Sequence, residues 1–188
     1  MEFVQPIRER KLVDKMKIYL HRKSLRDWCL FVVGINSGLR VSDLLALRVR
    51  DVQDDSGKMR DRVRVRESKT GKMKDFPLNE TARRCLREYL NSREGVKQTE
   101  WLYPSQKGGH LQRMRAWELL NQAARVVGVS ESIGTHTMRK TFAYHAYKQG
   151  ADLAMIQKLL NHSSQAETLR YIGITQENLD DVYMTLDL

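Results

Sequence analysis

The chain has 188 residues, 41% apolar and 30% charged, with 33 Lys and Arg against 23 Asp and Glu for a formal net charge of +10. That size suits one domain whose core needs no staples, and the composition is that of a soluble globular protein. No apolar run nears the roughly 20 residues of a membrane span. MEFVQPIRER lacks the apolar stretch of a secretory signal, and Cys29 and Cys85 alone set up no disulfide framework or metal cluster, so a reducing, cytoplasmic setting is expected.

The positive surplus favours a polyanionic partner and says nothing about fold. In chain order, residues 7 to 22 predict an amphipathic helix through Leu12, Met16, Tyr19 and Leu20. Ser24 can cap the next helix, with Asp27 as a shorter stand-in for the capping-box Glu. That helix is apolar over a wide arc (Leu25, Trp28, Cys29, Phe31, Val32, Ile35), so it is expected deep in the core, ending at Gly38. Ser42 is read as the cap of a short helix with Asp43 in its first turn. Arg40 then lies in a tight turn between two packed helices.

Residues 61 to 66, DRVRVR, alternate strictly and predict a half-buried strand. The turn Lys69-Thr70-Gly71 leads to a second strand ending at Phe76, Pro77 and Leu78, which makes a β-hairpin. Asn79 can cap a helix to about residue 92, with Ala82, Cys85, Leu86 and Leu90 inward. WLYPS is a short apolar segment, and SQKGGH reads as a mobile loop. Residues 113 to 127 predict a helix with Met114, Trp117, Leu120 and Ala124 inward, and Thr135 can cap a helix over 136 to 149. Shorter helices are expected at 152 to 160 and at 165 to 172, the latter carrying Tyr171. The fold class is mainly α (α+β), a helical bundle with one small antiparallel sheet at its edge.

Within this frame Arg40, His136, Arg139, His162 and Tyr171 suggest chemistry on a phosphodiester. Breaking a strand without a metal requires cations on the non-bridging oxygens. The planar guanidinium pairs two oxygens and stays charged, which suits Arg40 and Arg139. His136, three residues before Arg139, would share its helix face and can carry a proton near neutral pH. Tyr171, nine positions after His162, can form a covalent intermediate. Its ordinary pKa of about 10 requires nearby positive charge or a base. Lys69 at the hairpin tip can protonate a leaving oxygen. His21, His110 and His145 are left as structural or surface residues.

The ordered set resembles the tyrosine recombinases, or phage-integrase family, over roughly residues 8 to 175. SGLRVSDLLALRVRDV is similar to the family's first arginine box, ESKTGKMKDFPL to its lysine hairpin, THTMRKTFAYH to its HxxR box, and LLNHSSQAETLRYI to its histidine and tyrosine box. Asn161 departs from the glycine that usually precedes the histidine, and fits a helix end. The resemblance implies that Tyr171 attacks the scissile phosphate to give a 3′-phosphotyrosyl link and a free 5′ hydroxyl, with no metal, ATP or other cofactor. Arg40 and Arg139 would hold the phosphate, His136 would manage the nucleophile's proton, Lys69 would protonate the leaving oxygen and His162 would stabilise the transition state. Asp43 would support the site without attacking.

It further implies double-stranded DNA as partner, a homo-oligomer (a tetramer) on that DNA, and no membrane. Residues 1 to 23 would lead into a catalytic domain at 24 to 174. They are too short for the family's core-binding domain, so this is a catalytic domain alone, a fragment or a naturally short member. One-sided grip would make DNA binding weak and salt-sensitive. Residues 175 to 188 would form a tail helix with Leu179, Val182, Tyr183 and Leu186 as an apolar stripe, docking on a neighbouring protomer or back on its own domain. Competing readings are a type IB topoisomerase, which relaxes supercoils, and a non-catalytic DNA-binding regulator. A metal-dependent nuclease lacks the carboxylate cluster of a two-metal site.

Overall fold

In the computed structural model, residues 4–174, 180 and 183–186 are described. α1 (Arg10–Lys23) buries Val13, Met16 and Leu20, with Leu12 and Tyr19 partly covered. It begins three residues later than periodicity predicts. Ile7 is fully buried, but its burial comes from an extended strap over residues 4–8. Within the strap, the Ile7 N–H donates to Thr141 Oγ1 and the Thr137 hydroxyl donates to the Gln5 carbonyl. Arg8 Nη2 donates to the Gly173 carbonyl, and Val4 lies so close that a Cβ on Gly134 would meet it at 2.4 Å.

α2 (Leu25–Ser37) is the central helix. Ser24 Oγ accepts from the Asp27 N–H, while Asp27's own carboxylate pairs with Arg26, so only half of the expected capping box forms. Its buried face, Cys29 to Gly34, packs on α1, α5 and α7. Each large apolar side chain removed from water there contributes about 1.5–3 kcal/mol. Gly34 lets α7 approach, since a Cβ there would lie 2.4 Å from Met138 Sδ. Gly38 ends the helix in the left-handed region with φ 60°.

The short α3 (Val41–Leu45) starts from Arg40, whose carbonyl accepts the Leu44 N–H, so Arg40 and not Ser42 occupies the cap. α4 (Val49–Val52) precedes β1 (Arg62–Arg66), which pairs antiparallel with β2 (Met73–Pro77) in the register Val63 to Phe76 and Val65 to Lys74. α5 (Glu80–Asn91) is capped by Asn79 and buries Ala82, Cys85, Leu86, Tyr89 and Leu90 on α2. SQKGGH forms a closed turn, bracketed by the Pro104–His110 bridge and the Ser105 N–H to Gly109 carbonyl bond.

α6 (Arg113–Val127) buries Ala116, Leu119, Leu120, Ala123 and Ala124. Met114 is 61% exposed and Trp117 lies at the margin, its indole N–H on the Ile133 carbonyl. The stripe is therefore rotated from the expected one, with three alanines and two leucines inward and Met114 and Trp117 at its flank. α7 (Thr137–Lys148) starts at an N-cap of His136, not Thr135. The Thr137 hydroxyl takes the Gly134 N–H and turns to the strap. α8 (Leu153–Leu160) and α9 (Gln165–Ile172) are capped by Asp152 and Ser164.

One large core spans α1 to α7, and a second small one holds Ala143, Ile156, Leu160 and Ile172 with Tyr171 against it. The candidate site lies where the two meet. No described helix is long and apolar enough to cross a membrane. Of the tail stripe, Leu179 and Val182 lie outside the described residues, while Tyr183 and Leu186 are exposed.

Candidate active site

Arg40 reaches the site because Gly38 turns the chain sharply after α2 and α3 holds the turn from the other side. Arg139 projects from the first turns of α7 and is almost fully buried. Its two terminal nitrogens each donate over 2.6 Å, Nη1 to the Gly38 carbonyl and Nη2 to the Leu160 carbonyl. Those bonds tie the Arg40 turn to the end of α8. A guanidinium has five N–H groups, so donors remain for an anion.

α8 ends at Asn161 in the left-handed conformation, φ 52°, and this throws His162 towards α9. His162 Nδ1 lies 3.1 Å from Thr168 Oγ1, which itself donates to the Ser164 carbonyl. The hydroxyl's one proton is used, so it accepts from the ring N–H at Nδ1. Nε2 is left for the site, a tautomer assigned from the bonding network. Thr168 is fully buried and Thr168 and Ile172 fall on one face, which fixes α9 against α8.

Tyr171 stands one residue from the end of α9. Its hydroxyl lies 3.3 Å from His136 Nδ1, and its ring meets the His162 ring edge-on at 4.8 Å between centroids. The Lys140 ammonium sits 4.9 Å from the Tyr171 ring centroid, a cation–π contact. Burial pushes the Tyr171 hydroxyl up to about 12, against the downward pull of Arg139 and Arg40. The expected field of the arginines is therefore present, but desolvation outweighs it in the DNA-free protein. Burial, then Arg139, Lys140, Arg40 and Lys69, hold His136 below the usual imidazole range. Burial with Arg139 and Arg40 does the same to His162, against Glu167. Neutral His136 can accept the tyrosine proton.

Asp43 is buried and accepts from both the Ser68 N–H and the Ser68 hydroxyl, at 2.8 and 2.7 Å, so it anchors the hairpin turn. Lys69, next along, is exposed at the rim, near enough for its charge to bear on His136. The other five candidates, Arg40, His136, Arg139, His162 and Tyr171, converge around one hollow. Beside it opens a cavity of about 570 Å³ lined by Lys72, Lys158, Asn161 and His162. Two ammonium groups on its wall suit an entering phosphodiester strand.

Two ionisable groups escaped sequence reasoning. Glu67 has no exposed surface, and its Oε1 lies 2.8 Å from Arg40 and 3.9 Å from Arg139. Lys74 is buried beneath the arginines, with Nζ 3.1 Å from the Gly38 carbonyl. Burial, then Arg139, pull its ammonium down to about 8. Both were legible in principle, because strand alternation puts Glu67 in phase with Val63 and Val65, and Lys74 in phase with buried Phe76. Among the described residues no group of three His, Cys, Asp or Glu is placed to hold a metal.

The family model described as "Phage integrase family" matches residues 3–178. The probable integrase/recombinase YoeC of Bacillus subtilis is 41% identical over 184 residues, which cover 97% of each chain. The tyrosine recombinase XerC of Pelobacter propionicus is 35% identical over 85% of this chain, which spans 51% of that relative. This chain thus matches YoeC nearly end to end but covers about half the length of XerC. A solved XerH recombinase bound to palindromic difH DNA, in a post-cleavage complex, superposes with a TM-score of 0.76. It is 21% identical, with 98% of this chain and 54% of that one covered, and so shows the fold. With nearly every residue under the family model and an almost full-length relative at 41% identity, this chain belongs to the phage integrase family, the tyrosine recombinases.

Proposed function

We propose that the chain cleaves and rejoins double-stranded DNA through a covalent phosphotyrosine, with Tyr171 as nucleophile. The observation that carries this is the tyrosine hydroxyl 3.3 Å from His136 Nδ1, beside buried Arg139 and half-buried Arg40. His136 accepts the proton as Tyr171 Oη bonds to phosphorus. The bond to the 5′ oxygen breaks, and that oxygen takes a proton from Lys69. Arg40 and Arg139 hold the non-bridging oxygens as charge builds, and His162, edge-on against the Tyr171 ring, helps to stabilise the transition state. Asp43 holds the turn that presents Lys69. A 5′ hydroxyl from a partner duplex then attacks the phosphotyrosine and releases Tyr171. The bond energy is kept in the link, so exchange needs no ATP.

Relatives named for recombination and integration favour this reading over strand relaxation by a type IB topoisomerase and over a non-catalytic regulator. The catalytic unit is taken as residues 24 to 174, entered through residues 1 to 23. Assembly on DNA as a homo-oligomer, a tetramer, and a place in the cytoplasm with the DNA belong to the same proposal. The test is covalent capture on a pool of nicked duplexes with a randomised core, in which the short 5′-hydroxyl fragment diffuses away after cleavage. The wild-type chain is expected to form a denaturant-resistant adduct. Tyr171→Phe is expected to form none while binding the pool equally well, and persistent capture by that variant would sink the assignment.

A further inference from the structure

Glu67 lies outside the set of groups just assigned, yet it touches four of the segments around them. Oε1 faces Arg40 Nη1 at 2.8 Å and Arg139 Nη1 at 3.9 Å. Oε2 accepts from the Thr70 hydroxyl at 2.8 Å and from Asn161 Nδ2 at 3.0 Å. Its backbone closes the hairpin turn, with its N–H on the Lys72 carbonyl and its carbonyl accepting from Gly71. One carboxylate therefore joins the Arg40 turn, the Lys69 turn, α7 and the end of α8.

The contact between Glu67 Oε1 and Arg40 Nη1 is close but too bent for a hydrogen bond. Neither atom has a hydrogen-bond partner among the described residues. Charge, not directional bonding, holds the two together. Burial alone would raise the Glu67 carboxyl. The close Arg40 guanidinium, the bond from Thr70 and the charge of Arg139 outweigh it and hold the group below its ordinary range. It is thus ionised at neutral pH, in a pocket that also holds the Lys74 ammonium.

Two guanidinium groups within 4 Å of one point repel strongly where water is scarce. Some anion must offset them before DNA arrives. A mobile anion would have to leave when phosphate enters, but Glu67 sits behind the arginines, fully buried, on a strand end. We infer that Glu67 is a positioning residue, a built-in counter-ion that holds the Arg40 and Arg139 forks ready for the scissile phosphate. The inference rests on the proposed phosphate chemistry of those arginines. Its cost is ground-state affinity, since a negative charge stands near the bound phosphate. Its gain is preorganisation at the moment of attack.

The signature is therefore split. In Glu67→Gln the phosphate itself becomes the nearest counter-ion to the two forks, so DNA affinity should hold or rise. The forks are then misplaced, and cleavage at saturating DNA should fall about 100-fold. The experiment uses full-length chain and one duplex recovered from the wild-type capture pool, with dissociation constant and single-turnover cleavage measured separately. A purely structural role would lower the folded fraction and the melting temperature while leaving the rate per folded molecule unchanged, and that result overturns the inference. Equal cleavage by wild type and variant also overturns it, without touching the assignment of Tyr171, which the Tyr171→Phe capture test decides alone.

A duplex with sulfur in place of the leaving 5′ oxygen separates the two groups Glu67 adjoins, because a thiolate leaves without a proton. Failure of that duplex to restore the variant's rate supports action through the arginines. Full restoration would place the effect on Lys69 and overturn the inference. Asn161→Gly keeps the left-handed backbone and removes only one Glu67 contact, so it serves if Glu67→Gln folds poorly. It is expected to slow cleavage less, and to add nothing further to Glu67→Gln in a double variant. Additive losses would count against the shared route.

Discussion

At the scale of single residues, the proton path is set by two imidazoles that burial keeps neutral. His136 and His162 both lie below the ordinary value of about 6.5. A base is useful only while unprotonated, and a lowered pKa keeps it so to lower pH. Single-turnover cleavage should therefore stay level from pH 8 down to about 6.5 and decline only below that. A decline already under way at pH 7.5 would mean that no lowered histidine is the base. Sequence pattern exposed the candidates because Arg, His and Tyr were spaced in recognisable boxes. It passed over Glu67 and Lys74, whose importance comes from burial among apolar neighbours. Their strand phase carried that signal, but charged residues on a short hairpin read first as solvated. The Thr168 hydroxyl that sets the His162 tautomer was hidden for another reason. A threonine within a helix has many uses, and only the position of α8 selects this one.

At the scale of elements, helices α2 and α7 must approach closely for Arg139 to reach the Gly38 carbonyl. Gly34 makes that approach possible, since any side chain there would collide with Met138. Gly34→Ala should lower unfolding stability by about 1–3 kcal/mol, as overpacking does. Urea denaturation would show it, and an unchanged midpoint would mean that Met138 swings aside freely. The longer elements and their order were plain from periodicity, including the deep α2, the Arg-Val hairpin and the Asn79 cap, but the single-turn α4 was not foreseen. Nor were the starts of α1, α3 and α7. At α1 and α7 the local signal was overruled by a distant partner, and at α3 by the chain's own turn. Ile7 and Thr137 serve the strap, and the carbonyl of Arg40 receives the first bond of α3. The rotated stripe of α6 has the same origin, because packing rewarded alanine over methionine.

At the scale of the whole molecule, the net charge of +10 is a device for collecting DNA without regard to sequence. What it does not supply is a second face of grip, and partners can. We take residues 175 to 188 as the segment that docks between protomers. Tyr183, Met184 and Leu186 are exposed on one chain, and exposed apolar groups of this size suit a neighbour's groove. Removing residues 175 to 188 should leave cleavage of a single duplex largely intact. Higher-order complexes on DNA should be lost in gel mobility or light scattering, and undiminished assembly would assign the tail to its own domain.

The strap over residues 4–8 bears on how the molecule is made. Arg8 donates to Gly173, 165 positions later, and Ile7 bonds to Thr141, 134 positions later. During synthesis Arg8 must wait for those 165 positions to be added before its bond to Gly173 can close. The helix that bears Tyr171 is thus fastened by residues made long before it. A prematurely terminated chain can thus present its basic surface to DNA but cannot hold an armed tyrosine against it. Tyr171 is held in place only once α9 has been made and has met the strap.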